Sequence, residues 1–99
     1  MSLPVVFLPA ARTEFDAATN WYENRQLGRG MELIANVRHV LNRIATQPEF
    51  YPQVYRQIRE ALVPSYPYCV YYREESGRVL VLSIFHTARD PSVWQARTE

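Results

Sequence analysis

The segment 78–86, RVLVLSIFH, constrains the fold of this chain more than any other stretch. It has no polar residue between Arg78 and Ser83, whereas a strand with one solvated face alternates between apolar and polar residues. We therefore expect a strand that is covered on both sides or lies centrally in a sheet. Because 99 residues are too few for two cores, we expect this strand to belong to a single domain over residues 1–99.

Two amphipathic helices are predicted in the first half, after a short apolar strand at residues 5–8. The first helix begins near Pro9 and has apolar residues at helical spacing, namely Phe15, Ala18, Trp21 and Tyr22. The second follows Gly30, and its apolar stripe consists of Leu33, Ile34, Val37, Leu41 and Ile44. The short connection GRG predicts that the two helices fold back on each other as a hairpin.

The second half of the chain changes from helical to strand periodicity. Strands are predicted around residues 56–63 and over 68–74 and 78–86, with turns at 64–67 and 75–77. The order is then strand, helix, helix and three strands, which is typical of an α+β fold with a β-meander. Both helices must cover one face of the mostly antiparallel sheet, so we expect the other face to be open and to carry the function.

Charge and length exclude several classes of protein. All eleven basic residues are arginine, so no lysine is available for Schiff-base or P-loop chemistry. Ten acidic residues balance the arginines, which argues against a strongly basic nucleic-acid surface. The longest apolar run, 79–85, is too short to cross a bilayer, and no charged-then-apolar leader opens the chain. We therefore expect a soluble cytoplasmic protein.

Cysteine and histidine are sparse. Cys69 is the only cysteine, which excludes an internal disulfide, and its strand-like surroundings predict a small buried side chain. His39 and His86 are distant in sequence, so the spacing of metal ligands is missing. We expect neither a metal nor another cofactor.

Two groups of residues in the predicted strands are candidates for binding. Arg56 and Arg59 are three residues apart, so on one strand they point to opposite faces and cannot form one clamp. Either one of them pairs with a nearby carboxylate, such as Glu49 or Glu60, or it faces outward. The second group, Tyr66, Tyr68, Tyr71 and Tyr72, either stacks bases or belongs to the core with solvated hydroxyls, and we favour the core.

The third group closes the last strand in the sequence FHTARDPSVW. One interpretation is chemical, with His86 as a general base, Arg89 holding a phosphate and Asp90 orienting the histidine. The other is structural, with Asp90 as the N-cap and Pro91 as the first residue of a short helix. In that case Trp94 folds back on the core and His86 bonds to the loop. We favour the structural interpretation.

The chain resembles the RelE/ParE toxin superfamily of bacterial type II toxin–antitoxin modules over essentially its whole length. Its C-terminal part carries the resemblance in the run RQIREALVPSYPYCVYYREESGRVLVLSIFHTARDPSVWQAR. There an arginine-bearing strand is followed by PY, a hairpin, an apolar strand and the pattern H..RDP..W..R. The first half is similar too, with Pro9-Ala10 entering a helix that ends in WYE. The resemblance implies a RelE/ParE-like fold, a helix hairpin on a small curved sheet.

The superfamily contains ribosome-dependent nucleases of the RelE type and ParE-like proteins that bind DNA gyrase. The nuclease branch has lysines on the second strand, an arginine early in the third strand and a tyrosine near the C-terminus. The similar positions here hold Glu60, Leu62, Cys69 and Trp94. Only Arg89 lies near a matching basic position. The chain therefore resembles the ParE-like branch, which includes plasmid stabilisation proteins.

That resemblance implies a toxin that inhibits gyrase and is neutralised by a cognate antitoxin whose C-terminal segment wraps across it. We expect the partner contacts to come from Arg56, Arg59, Arg89 and Arg97. His86, Asp90 and Trp94 are assigned to local structure. Two alternatives stay open, a metal-independent mRNA endonuclease using Arg56, Arg59, His86 and Arg89, and a non-toxic antitoxin-binding remnant.

Overall fold

The computed structural model describes residues 2–98, so the first and last residues of the domain expected over 1–99 lie outside the described part. The helices are α1 (Pro9–Arg25), α2 (Arg29–Thr46) and α3 (Ser92–Gln95), the last followed by a 3-10 turn at Ala96–Thr98. The strands are β1 (Val5–Phe7), β2 (Gln53–Tyr55), β3 (Ile58–Leu62), β4 (Tyr68–Glu75) and β5 (Arg78–His86). The α+β fold predicted from the periodicities is confirmed.

The strands form one sheet in the order β1-β5-β4-β3-β2. β1 runs parallel to β5, with Val6 opposite Leu80, and the other neighbouring strands are antiparallel. β5 therefore has a strand on each side and apolar residues on both faces, which explains its missing polar alternation. The bounds predicted for this strand, 78–86, are those of the structure.

The second half of the chain contains four strands, one more than the three predicted from the sequence. Arg56 and Gln57 do not begin a strand but form the turn between β2 and β3, where Tyr55 lies opposite Ile58. Arg56 has a φ of 53°, a left-handed conformation that arginine seldom adopts and that the sequence does not signal with glycine or asparagine. The turn separates the three-residue strand β2 from β3.

The two helices pack as the predicted hairpin, and their connection is built around Glu23. Its carboxylate accepts the backbone N–H groups of Gly28 and Gly30, both at 2.9 Å. α2 begins at Arg29, so Gly30 lies inside the helix rather than before it. A Cβ at Gly30 would sit only 2.7 Å from the backbone oxygen of Thr19. The close approach of the two helices therefore requires glycine here.

The sheet face away from the helices is not open, contrary to the expectation from sequence. It carries a second buried cluster made of Ile58, Cys69, Tyr71, Leu80, Leu82, Phe85 and Trp94. The last of these comes from α3, which folds back over the face. Apolar residues on both sides of β4 and β5 thus create two buried clusters on the faces of one sheet, one beneath the helix hairpin and one beneath the C-terminal segment.

Two further properties concern the part of the chain that the structure describes. None of its helices combines the length and the apolar character that crossing a bilayer requires. Among residues 2–98, no three side chains of histidine, cysteine, aspartate or glutamate come together as a metal-binding group.

Candidate functional site

A cleft of about 450 Å³ lies between α1 and the ends of β4 and β5. Trp21 and Tyr22 of α1 form one wall, while Tyr68 of β4 and His86 of β5 lie opposite them. Arg89, from the loop after β5, completes the rim. This cleft brings together three residues that the sequence singled out and two that it assigned only to a helical stripe.

Aromatic contacts fix the walls of the cleft. The ring of Tyr68 packs edge-on against Tyr22, with centroids 6.3 Å apart, and against His86 at 5.2 Å. Burial, reinforced by the neighbouring Tyr22, raises the pKa of Tyr68, so its hydroxyl stays protonated at neutral pH. Nδ1 of His86 accepts the backbone N–H of Ala88 at 3.0 Å. Both rings are therefore held in fixed orientations.

Arg89 is exposed, and its charge is available to a partner. Its guanidinium lies over the ring of Phe85, 4.9 Å from the centroid, and no carboxylate of residues 2–98 lies within ion-pair distance of it. The backbone N–H of Arg89 donates to the carbonyl of His86 at 3.1 Å. The turn and the aromatic ring thus position a cation at the rim of the cleft.

Glu14, the carboxylate that lines this cleft, is neutralised within the fold. Arg97 donates to both of its oxygens at 2.9 Å, and the side chains of Arg97 and Glu14 are only 19% and 15% exposed. Ser83 also donates to this carboxylate at 2.8 Å, and Arg97 reaches the carbonyl of Leu82 at 3.0 Å. The guanidinium of Arg97, expected from sequence to contact a partner, is therefore occupied internally. Because Glu14 is paired, the unpaired charge at the cleft is that of Arg89.

In the nuclease branch, cations and a tyrosine occupy the positions that are similar to Glu60, Leu62, Cys69 and Trp94. Here these four residues lie on β3, β4 and α3. Tyr71, on the same sheet face, donates its hydroxyl to Glu60 at 2.7 Å, and Trp94 stacks on it with ring centroids 4.0 Å apart. Burial raises the pKa of the Cys69 thiol to about 11. Burial and the hydrogen bond to Glu60 raise the pKa of Tyr71 as well. This face presents a carboxylate, a neutral thiol and apolar side chains.

The structure does not bring Arg56 and Arg59 together with His86 and Arg89. Arg59 lies opposite Tyr72 on β4, while His86 lies opposite Tyr68 at the other end of that strand.

Arg59 forms no ion pair with a carboxylate of residues 2–98. Its Nη1 donates to the backbone carbonyls of Tyr51 at 2.6 Å and Glu49 at 3.3 Å, so it holds the loop before β2. Arg56 is exposed in its turn, with its guanidinium 5.2 Å from the ring centroid of Tyr55.

The loop after β5 is organised by Asp90. Its Oδ1 accepts the backbone N–H of Ser92 at 3.0 Å, and this bond lowers the pKa of the Asp90 carboxyl. α3 begins at Ser92, one residue later than predicted, with Pro91 in the capping position. Trp94 is then directed into the second core, where it is 2% exposed.

Sequence reasoning missed the parts of the cleft that come from α1. Trp21 and Tyr22 are consecutive, so a helix with one buried face cannot bury both, and Trp21 is 51% exposed. This pair of consecutive aromatic residues was the sequence feature that could have indicated the α1 side of the cleft. Glu14 carried no signal, because its partners Ser83 and Arg97 are distant in sequence.

Comparisons with known proteins bear on the whole fold. The sequence profile described as "ParE toxin of type II toxin-antitoxin system, parDE" matches residues 5–91. A solved structure titled "Chromosomal ParDE TA system from P. aeruginosa" superposes with a TM-score of 0.74, over 86% of this chain and 96% of that chain. At 11% identity, that similarity shows the fold alone. No curated protein matches the chain in sequence.

Proposed function

Because the chain belongs to the ParE toxin family of type II toxin–antitoxin systems, we propose that it acts by binding and inhibiting DNA gyrase and that a cognate antitoxin neutralises it. Gyrase acts on DNA in the bacterial cytoplasm, so the proposal places the protein there. The toxin acts by occupying a target and not by cutting a nucleic acid.

The observation that carries this proposal is the chemistry of the sheet face away from the helices. A nuclease that works without a metal needs cations to stabilise the transition state and a group that protonates the leaving oxygen. In this chain, the positions similar to those of the nuclease branch hold Glu60, Leu62, Cys69 and Trp94. A carboxylate repels a phosphodiester, and a buried indole has no proton to give at neutral pH. This surface is therefore suited to packing and not to phosphate chemistry.

The cleft beside α1 is the surface that we assign to the target. It combines the exposed indole of Trp21 with the unpaired cation of Arg89, a pairing of side chains that recurs at the centres of protein interfaces. Arg56 offers a second exposed cation in the turn after β2. Arg59 and Arg97 are bound within the fold, so we assign them to stability.

The direct test measures supercoiling by purified gyrase as the purified toxin is added. We expect inhibition that rises with toxin and is reversed by the antitoxin encoded beside the toxin gene. The same preparation is added to translating ribosomes, and the messenger RNA is mapped for breaks. Breaks at toxin concentrations well below those of the ribosomes would overturn the proposal in favour of a nuclease. Harmless expression with no effect on gyrase would indicate an antitoxin-binding remnant.

Arg89→Ala tests the assignment of the cleft. Removing an interfacial cation should weaken gyrase inhibition by about tenfold, equivalent to about 1.4 kcal/mol of binding free energy. Arg78→Ala is the matched control, since this exposed arginine pairs with Glu75 at the other end of β5. Equal inhibition by the two variants, with unchanged melting temperatures, would show that the target binds elsewhere.

A further inference from the structure

A hollow of about 270 Å³ lies at the end of the sheet where β3 begins. It is lined by Arg56, Gln57, Ile58, Arg73 and Thr98, none of which lines the cleft assigned to gyrase. Ile58 belongs to the second buried cluster, so the apolar part of the lining is fixed by packing. Pockets for drug-sized ligands usually start at about 300 Å³. The hollow therefore suits a small polar group better than a large organic ligand.

Arg56 places an unpaired cation at this hollow. Its guanidinium lies 5.2 Å from the ring centroid of Tyr55 and forms no ion pair with a carboxylate of residues 2–98. The ring of Tyr55 in turn packs edge-on against Trp94, with centroids 5.8 Å apart. The aromatic contact thus holds the guanidinium beside the hollow without neutralising its charge.

The backbone of Arg56 gives a second reason to assign a role to its side chain. With Tyr55 opposite Ile58, Arg56 and Gln57 form a two-residue hairpin turn. The φ of 53° at Arg56 is a conformation that glycine adopts without strain and arginine does not. A stable turn alone would favour glycine here, so the arginine side chain is a candidate for recognition.

Arg73 supplies a second guanidinium with spare donors. Its Nε and Nη2 contact one oxygen of Glu75 at 3.0 and 2.9 Å, whereas its Nη1 donates no hydrogen bond within residues 2–98. The other oxygen of Glu75 binds Arg78 at 2.8 Å. One carboxylate is therefore shared by two arginines. Together with Arg56, the three arginines leave two positive charges uncompensated around the hollow.

The lining determines which ligand the hollow can hold. No carboxylate lines it, and the amide of Gln57 adds a further donor. The hydroxyl of Thr98 already donates to the carbonyl of Gln95 at 2.8 Å. Guanidinium groups bind the paired oxygens of phosphate or carboxylate. Two positive charges match a phosphate group, which can carry up to about two negative charges at neutral pH, better than a single carboxylate.

The hollow is separate from the positions that resemble those of the nuclease branch. Arg73 lies four residues beyond Cys69 on β4, which corresponds to about 13 Å along the strand. Arginine, glutamine and threonine side chains do not exchange protons readily at neutral pH, so the lining offers no general acid or base. The hollow can therefore bind a phosphate ester without cleaving it.

We propose that this hollow is a binding site for a phosphate group. Arg56 and Arg73 bind its oxygens, and Gln57 donates a further hydrogen bond. The group belongs either to free phosphate or to a phosphodiester of nucleic acid, because both present the same oxygens. This inference does not rest on the gyrase target, since the hollow and the cleft share no residue.

NMR titration of the purified wild-type toxin with inorganic phosphate, at constant ionic strength, tests the site. We expect the side-chain Nε–H signals of Arg56 and Arg73 to shift together and to saturate at one phosphate per chain. Arg43, an exposed arginine that stacks on Phe50, is the internal control and should not shift. Shifts that do not saturate, or that are equally large at Arg43, would indicate an adventitious ion only and would overturn the proposal.

Arg56→Gly separates recognition from stability. It should raise the Kd for phosphate at least about tenfold, the factor expected for loss of a charge-assisted hydrogen bond. Its melting temperature should equal or exceed that of the wild type, because glycine relieves the strain of the turn. Arg43→Ala is the matched control and should change the Kd less than about threefold. A lowered melting temperature of Arg56→Gly with an unchanged Kd would assign Arg56 to the fold and overturn the proposal.

Two further titrations identify the source of the phosphate group. Acetate should bind at least about tenfold more weakly than phosphate, and equal binding would overturn the choice of ligand. Binding of a short DNA duplex that Arg56→Gly loses and Arg43→Ala keeps would assign the group to nucleic acid. Phosphate binding without DNA binding would assign it to free phosphate. These titrations contain no gyrase, so their failure and the failure of gyrase inhibition are independent results.

Discussion

At the scale of single residues, the arginines differ in what their guanidinium groups bind. Arg59 and Arg97 use theirs on backbone carbonyls and on Glu14 inside the fold. Arg56 and Arg89 leave theirs at the surface, each over an aromatic ring. Identical residue types thus either stabilise the fold or stay exposed at the surface, according to the acceptors that tertiary structure brings within reach. A stacked, unpaired guanidinium retains its charge for a partner while losing part of its conformational freedom in advance.

Trp94 offers a test of stability at this scale. Replacing a buried tryptophan by alanine usually costs about 3–5 kcal/mol of unfolding free energy. The indole N–H of Trp94 has no hydrogen-bond partner among residues 2–98, and removing a buried unsatisfied donor relieves part of this loss. We therefore expect Trp94→Ala to lower the unfolding free energy by about 3 kcal/mol in urea titrations. Trp21→Ala, at an exposed site, should cost less than about 1 kcal/mol, and equal stability of Trp94→Ala and wild type would refute the packing role.

At the scale of elements, the sequence predicts the helices and strands that are long enough to show a repeating apolar pattern. It misses the short strand β2. α1, α2, β4 and β5 each contain enough residues for apolar spacing to identify them. β2 has three residues, and Val54 at its centre is 46% exposed, so neither length nor burial marks it. The same limit applies to the sites. The sequence indicates the turn at Asp90 because its partner Ser92 is only two residues further along the chain. The cleft, in contrast, is assembled from elements that are distant in the chain.

The helix connection provides a prediction in pH. The backbone N–H groups of Gly28 and Gly30 bind the ionised carboxylate of Glu23 and lower its pKa below that of an ordinary glutamate. A carboxyl with a depressed folded pKa contributes stability above its unfolded pKa, and this contribution is lost as the pH falls through the folded value. We therefore expect Glu23→Gln to be less stable than wild type in urea at pH 7, with the difference shrinking below about pH 4.5.

The control for this prediction is Glu49→Gln. Its side chain accepts no hydrogen bond from residues 2–98, so the substitution should leave stability nearly unchanged at both pH values. A stability difference between Glu23→Gln and wild type that stays constant down to pH 3.5 would mean that the ionised carboxylate does not stabilise the start of α2.

At the scale of the whole molecule, the sheet is covered on both faces by segments from opposite ends of the chain. α1 and α2 cover one face, and the short segment after β5 covers the other. A one-turn helix cannot hold itself together, so the second layer depends on contacts with the rest of the fold. Trp94 supplies the apolar contact, and Arg97 supplies the polar one by joining Glu14 of α1 at the edge of β5. β1 pairs with β5 only as far as Val81. Beyond that residue, Arg97 donates to the carbonyl of Leu82 and Glu14 accepts the N–H of Ile84, so the ion pair bonds to the backbone of β5 where β1 has ended.

A double-mutant cycle on Glu14 and Arg97 measures how strongly the two layers are joined. The pair is bidentate and mostly buried, and each group also bonds to β5, so either single substitution leaves the other charge without its partner. We expect Glu14→Gln and Arg97→Met each to lower the unfolding free energy by about 2–3 kcal/mol, with a coupling energy of about 1–3 kcal/mol. The matched cycle uses Glu75 and Arg78, a more exposed pair in which Glu75 keeps a second partner, Arg73, and it should couple by less than about 1 kcal/mol. Coupling between Glu14 and Arg97 no larger than in that control would show that the C-terminal layer is held by apolar packing alone.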